Sequence, residues 1–465
     1  MSRAHSIFLG ILTGSLLCAA HGFWAGLSWL APIPLLYALV HCDLRSAFYT
    51  GLVCGLVESL ILFGLSHAGP MTFITIALIY ALSRALFSLA FVILRDGDYL
   101  RLLAPALWVL FEWAQAKTPL TLPNLIGDTF DGGDLFGVVR LGGTYLLGAL
   151  VVWAGAIAVR FIREGGWQNL GNQSLFYTWL CTLCFCQLVG TAFTPKVAST
   201  FSVSMVQGGI PTWLYERGQA DETWKPISEA IYTKLSEQAA PSQLTIWPET
   251  AVDETFEEGN AYAERLRALA QERGALLLGS RRMDHETLFN SAVLLQGETT
   301  QTVDKKRLAM GAESHFAVGE SPAILSYEAL KLGVVFCLES VMPAYTSDLV
   351  EHEDADALVV LADGSRFGNT LVGKMHARRS TLRAVESGRS VIHVGQHGFT
   401  HVVSALGERS EMLPAFVGKT LHREIEIYEG TTPFQRLRHL VGYGLMLMVL
   451  LSVFFKFFKK SQMST

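Results

Sequence analysis

Before position 199 the sequence is a succession of apolar stretches separated by short polar connections, each near the roughly 20 residues a bilayer-crossing helix needs. They run from about 6 to 20, 23 to 42, 46 to 67, 71 to 94, 102 to 116, 136 to 159 and 174 to 194, with an eighth from about 438 to 458. Lipid offers no hydrogen-bond partners, so such segments are expected to be helices. Charge is distributed to match: of the 77 Asp, Glu, Lys and Arg residues only 19 lie before position 199. The expectation is a polytopic α-helical membrane domain of about eight spans over residues 1–198 and 437–465, enclosing a hydrophilic domain at 199–436. The whole chain is 51% hydrophobic and 17% charged, against roughly 25% charged in soluble domains. A net charge of −5 without a long basic run in the hydrophilic part argues against nucleic acid as a partner.

The first stretch, with Arg3 ahead of an apolar run ending in "CAAHG", has the outline of a signal peptide. A second span follows almost at once, which favours a membrane helix. "SLLC" around Cys18 has leucines where a lipidation signal wants small residues. Lys and Arg near short loops mark the cytoplasmic side. Arg3, Arg45, Arg95, Arg101, Arg160, Arg163 and the terminal Lys456, Lys459 and Lys460 share one side if the spans alternate, whereas the opposite loops carry only Lys117. Both termini are therefore expected in the cytoplasm and the hydrophilic domain outside it.

Within 199–436 short β-type apolar runs alternate with helical segments: "FSVSMVQG", "TWKPISEAIYTKLSEQA", "QLTIWPE", "AYAERLRALAQERG", "ALLLGS", "SAVLLQ", "KLGVVFC", "ALVVLAD", a helix near 370–387, "RSVIHVG", "HVVSA" and "LHREIEI". This alternation predicts a layered α/β domain. Ligands in such domains gather at the carboxyl ends of strands. Three runs end in reactive side chains there, namely Glu249, Cys337 and Asp363.

Six of the seven cysteines lie in or beside expected spans, leaving Cys337 alone in the hydrophilic domain. It has no cysteine of its own domain to bridge with, so it is either an inert buried thiol or one kept free for chemistry. The "CTLCFC" cluster at 181–186 has no neighbouring His and reads as helix packing. The spacing of His315, His393 and His397 matches no metal-ligand pattern. Glu58, Arg84 and Glu112 are ionisable groups at membrane depth, expected to hydrogen-bond between helices. "HARRSTLR", His376 to Arg383, is expected to form one face of a solvated helix or, near the bilayer, to meet phospholipid headgroups.

The neighbours of Cys337 favour the reactive reading. "IWPETAV" carries Glu249, "VDKKRLAMGAE" carries Lys305 and Glu313, and "FCLES" carries Cys337 and Glu339. Glu, Lys and Cys in that order resemble the nitrilase, or carbon–nitrogen hydrolase, superfamily. The polytopic N-terminal part and single C-terminal span narrow the resemblance to the apolipoprotein N-acyltransferase family. That resemblance implies an extracytoplasmic αββα sandwich on the bacterial inner membrane, with Glu249 as general base, Lys305 as oxyanion and thiolate stabiliser and Cys337 as nucleophile. Glu313 and Glu339 would be supporting carboxylates. It further implies a phospholipid acyl donor, a diacylglyceryl-cysteine lipoprotein acceptor, a thioester intermediate and no metal or organic cofactor. The chain departs from the family pattern at Leu338, where an aromatic usually follows the nucleophile, at Arg307 and Met310 in place of His and Pro, and at Arg366 in place of Trp. A membrane-tethered amidase and a non-catalytic lipid-binding protein are the competing readings.

Overall fold

The computed structural model describes the chain except residues 65, 67–68, 96–99, 118–123, 212, 214–224, 253, 310–312, 366, 368 and 463–465. It divides into two compact units, residues 1–193 with 436–465, and 194–435.

The first unit is helical: α1 (Arg3–Gly22), α2 (Pro32–His41), α3 (Leu44–Phe63), α4 (Pro70–Leu94), α5 (Leu100–Ala116), α6 (Phe136–Arg163) and α7 (Leu170–Thr191), with a C-terminal helix at Pro433–Gln462. Among the described residues five helices, α1, α3, α4, α6 and α7, are long and apolar enough to cross a membrane. The expected count of eight is not confirmed among the described residues. The stretch at 23–42 is broken into a 3-10 turn, Ala25–Trp29, and the ten-residue α2. Pro32 sits at the start of α2, where its missing N–H and its ring prevent a continuous helix from the preceding turn. The stretch at 102–116 forms a 17-residue helix with Pro105 inside it. The run at 438–458 lies within the 30-residue C-terminal helix, whose side chains at 452 and beyond 454 are outside the described residues.

Gly51 lets α3 approach α4 closely, since a Cβ there would stand 2.3 Å from the Arg84 carbonyl oxygen. That contact brings Glu58 and Arg84 together in the interior. Arg84 donates from Nε to Glu58 Oε2 at 3.0 Å and from Nη2 to Oε1 at 3.2 Å, with its guanidinium 4.4 Å from the centre of the Trp108 ring. Glu58 Oε1 also accepts from Asn124 Nδ2, and Glu112 Oε1 accepts from Trp108 Nε1 and the Ile126 N–H. These groups are therefore interhelical hydrogen-bonding partners. Breaking such a buried pair leaves an uncompensated charge and costs about 3–5 kcal/mol. Arg84→Met is expected to lower the thermal unfolding midpoint in detergent, and adding Glu58→Gln to recover part of the loss. An unchanged midpoint in the single variant would contradict this.

The second unit runs in order through β1 (Lys196–Gln207), α8 (Lys225–Gln238), β2 (Leu244–Trp247), β3 (Thr255–Phe256), α9 (Ala261–Arg273), β4 (Ala275–Asp284), β5 (Thr287–Gln296), β6 (Thr299–Asp304), β7 (Ile324–Tyr327) and β8 (Leu330–Phe336). It continues with α10 (Pro343–Glu351), β9 (Ala357–Ala362), α11 (Leu371–Ser387), β10 (Ser390–Gly395), β11 (His401–Val403) and β12 (Lys419–Glu429). One sheet has the order β12-β1-β2-β4-β5-β6 with β3 beside β4, and the other β11-β10-β9-β8-β7. Alternation along the strands builds the layers. Ile246, Leu277, Ala292 and Leu294 face Leu332, Val334, Phe336 and Val359 of the other sheet. Trp247, Leu276, Leu278 and Val293 face outward onto Tyr232 of α8 and Tyr262 and Leu266 of α9. Helices α10 and α11 cover the second sheet. The result is an αββα sandwich, in which each fully buried aliphatic or aromatic side chain contributes about 1.5–3 kcal/mol.

Helix α11 is not a solvated helix as the basic stretch suggested. His376, Arg379 and Arg383 are all buried. Arg383 is paired, its Nε lying 2.8 Å from Glu386 Oε2, and His376 reaches the Cys337 carbonyl. The returning chain covers the end of the helix, with Thr432 and Gln435 donating to the Glu386 and Ser387 carbonyls.

Candidate active site

Glu249, Lys305 and Cys337 each follow directly on a strand or its turn, which fixes their backbone. Glu249 lies just beyond β2. Gly279 of β4 exchanges hydrogen bonds with Pro248 and Ala251. A Cβ at Gly279 would fall 2.5 Å from the Glu249 Cα, so only glycine allows this approach. Lys305 follows β6 and its N–H donates to the Asn290 carbonyl of β5 at 2.8 Å. Cys337 follows β8 at the first residue of a 3-10 turn, Cys337–Val341. Its φ is +27°, in the left-handed region that a residue with a Cβ resists.

The structure brings Glu249, Lys305 and Glu313 into direct contact. Lys305 Nζ donates to Glu249 Oε1 and to Glu313 Oε1, both at 2.8 Å. Asn290 Nδ2 donates to the same two oxygens, each at 2.9 Å. Glu249 Oε2 accepts from the Asp363 N–H at 3.1 Å, and the Cys337 thiol points at the Asp363 carbonyl, 3.8 Å away. Glu339 does not join this cluster. It is fully buried and accepts from the N–H groups of Phe336, Lys306 and Arg307, stapling the end of β8 to the end of β6. Asp363, at the end of β9, pairs with His397 through Oδ1 at 3.2 Å.

Electrostatics follow from burial and these contacts. Burial disfavours the Lys305 ammonium, but Glu249, Glu313 and Cys337 outweigh it and raise its pKa, so it stays charged. Burial raises the Glu249 carboxyl, Lys305 pulling it down and Glu313 and Asp363 pushing it up. Burial also raises the Cys337 thiol well above its usual value; Glu249 adds to this and Lys305 opposes it. Cys337 at rest is thus a protonated thiol beside a carboxylate of raised basicity and a fixed cation. Burial lifts Glu339 to about 7 against the pull of its three backbone donors. Burial works against ionised Asp363, but His397 and Ser365 hold its carboxyl below the usual range.

Arg307 donates its backbone N–H to Glu339, Leu338 is half-buried beside the thiol, and Met310 and Arg366 lie outside the described residues. Among the described residues no group of three or more His, Cys, Asp or Glu side chains could hold a metal ion. His393 is buried against other imidazoles, whereas Cys181 and Cys184 are exposed. Two site residues escape a reading of the sequence. Asn290 could have been found as a polar residue in register with the inward-facing Ala292 and Leu294, and His376 was hidden among basic neighbours.

The chain combines several apolar helices with an αββα sandwich that sets a cysteine and a carboxylate-clamped lysine at its strand ends, the arrangement of a membrane-associated protein with a candidate cysteine site. Residues 10–157 match the family described as the apolipoprotein N-acyltransferase N-terminal domain. The apolipoprotein N-acyltransferase of Geobacter metallireducens is 25% identical, over 88% of this chain and 87% of that protein. That of Pseudomonas putida is 24% identical, over 72% and 70%. A Saccharomyces cerevisiae member of the nitrilase superfamily superposes with a TM-score of 0.40 at 16% identity, covering 50% of this chain and 91% of that chain. The chain is thus similar to apolipoprotein N-acyltransferases over most of its length, and residues 10–157 to the N-terminal domain of that family.

Proposed function

We propose that the protein N-acylates the terminal S-diacylglyceryl-cysteine of lipoproteins, moving an acyl chain from a phospholipid through a thioester on Cys337. The observation that carries this reading is the Lys305 ammonium clamped between Glu249 and Glu313, close enough for its charge to act on the only cysteine of the sandwich. The match of the helical half to a lipoprotein-acylating family favours lipid substrates over small amides. The enzyme sits in the bacterial inner membrane with the sandwich on the periplasmic side, as the distribution of Lys and Arg among the loops supports.

Glu249 takes the thiol proton as Cys337 Sγ attacks the ester carbonyl, and Lys305 stabilises first the thiolate and then the tetrahedral oxyanion. Collapse expels the lysophospholipid alkoxide, which recovers the proton from Glu249 and leaves the thioester. The lipoprotein α-amine then attacks the thioester and passes a proton to Glu249. The Cys337 thiolate departs and is reprotonated, and the product is an amide. Atoms and charge balance without metal or organic cofactor. Glu313 keeps Lys305 in place, and Glu339 holds the two strand ends that carry Lys305 and Cys337.

The protein in vesicles of acyl-labelled phospholipid is expected to acquire a hydroxylamine-labile label on the Cys337 peptide, absent in Cys337→Ala. Folded protein that never acquires it, or that hydrolyses small amides equally well in lipid-free detergent, would overturn the reading.

A further inference from the structure

The mechanism above leaves His376 without a task, yet this buried side chain of α11 touches the nucleophile's own backbone. Its Nε2 lies 2.9 Å from the Cys337 carbonyl oxygen and 3.2 Å from Ser340 Oγ, and Ser340 Oγ donates to the same carbonyl at 2.7 Å. A carbonyl has no proton to give, so Nε2 must carry one. Burial pushes the imidazole down to about 4, with Arg379 and Lys305 also disfavouring its charge and only the hydrogen bond to Cys337 favouring it. The ring is therefore a neutral Nε2–H donor at neutral pH.

The ring is also held in place. The His393 imidazole meets it edge-on with centroids 5.7 Å apart, and His401 stacks on His393 at 5.1 Å. His393 Nδ1 pairs with Ser380 Oγ at 2.9 Å, and His401 Nδ1 with the Phe399 carbonyl at 2.7 Å. The three rings form a column that ends on the Cys337 carbonyl. At that end the backbone needs support: Cys337 is a non-glycine residue at φ +27°. Such conformations persist only where the surroundings over-determine them.

We propose that His376 is a positioning residue for the nucleophile, its Nε2–H gripping the Cys337 carbonyl so that the left-handed turn keeps the thiol aimed at the end of β8. This rests on Cys337 being the nucleophile, and the role is one of donation, not of filling space. Two replacements separate those possibilities. Phenylalanine keeps a ring against His393 and loses the donor, whereas glutamine loses the ring and keeps an N–H donor of similar reach.

The test measures two rates on the full-length protein in vesicles: alkylation of Cys337 by iodoacetamide, read on its own peptide by mass spectrometry, and single-turnover acylation from labelled phospholipid. Expected is a fall of about tenfold or more in both rates for His376→Phe at an unchanged thermal midpoint, with His376→Gln restoring both to within about threefold of the wild type. Wild-type rates in His376→Phe would overturn the proposal, and so would equal impairment in His376→Gln. If no protein is acylated while the alkylation rates still separate in this order, the positioning role stands and the acyl-transfer reading fails.

Discussion

Lys305→Met is expected to abolish acyl transfer, by about a thousandfold or more, and to destabilise the sandwich as well. The two effects share one cause. Lys305 is almost fully buried and is the cation for both Glu249 and Glu313, whose Oε1 atoms each lie 2.8 Å from its Nζ. Removing it leaves two carboxylates facing each other with only the Asn290 amide between them. Stranding buried charge in this way costs about 3–5 kcal/mol. Loss of one oxyanion donor alone lowers turnover by about 10²–10³, and here the thiolate loses its counter-charge too. Differential scanning fluorimetry in detergent and a gel assay of acyl transfer measure the two effects. Lys305→Met combined with Glu313→Gln should regain stability without regaining activity. A single variant that unfolds like the wild type would contradict the clamp.

Glu249→Gln is expected to separate thiol ionisation from catalysis. The carboxylate adds to the upward shift of Cys337, and Lys305 opposes it. A neutral glutamine removes one upward influence and keeps the downward one, so the thiol of the variant titrates at lower pH than the wild-type thiol. Alkylation of Cys337 should accordingly rise with pH earlier in the variant. Acyl transfer should fall by about 10²–10⁴, the usual contribution of a general base, because nothing accepts the proton of thiol or amine during the reaction. Parallel pH profiles of iodoacetamide labelling and acyl transfer check both halves. A variant whose transfer activity survives would remove Glu249 from the proton path.

Much of this site was legible in the sequence because strands are short and their ends are abrupt. "LTIWPE", "LGVVFC" and "LVVLAD" each run apolar and then stop on Glu249, Cys337 or Asp363, and the fold places all three together. Asn290 lies inside β5, where its one sign was a polar residue in register with the inward-facing Ala292 and Leu294. His376 was obscured because Arg378, Arg379 and Arg383 make its helix look water-facing, whereas the returning chain at Thr432 and Gln435 buries the end of it. The strain at Cys337 had no sequence sign, since left-handed turns are ordinarily flagged by glycine and here a cysteine is forced into one. In the helical unit apolarity alone did not mark every break in a helix. The stretch from 23 to 42 is as apolar as its neighbours, but "APIP" sets proline at the start of α2 and breaks it.

The proposed transfer depends on a thioester at Cys337 that waits for an amine. The most direct measurement isolates protein acyl-labelled at Cys337, removes free phospholipid, and follows the label by quenched flow after adding a peptide with an N-terminal S-diacylglyceryl-cysteine. Expected are quantitative movement of label into peptide amide at a rate matching turnover, slow loss to water without peptide, and no movement to the same peptide with a blocked α-amine. Discharge to water as fast as to the peptide, or acylated peptide formed by Cys337→Ala, would contradict it.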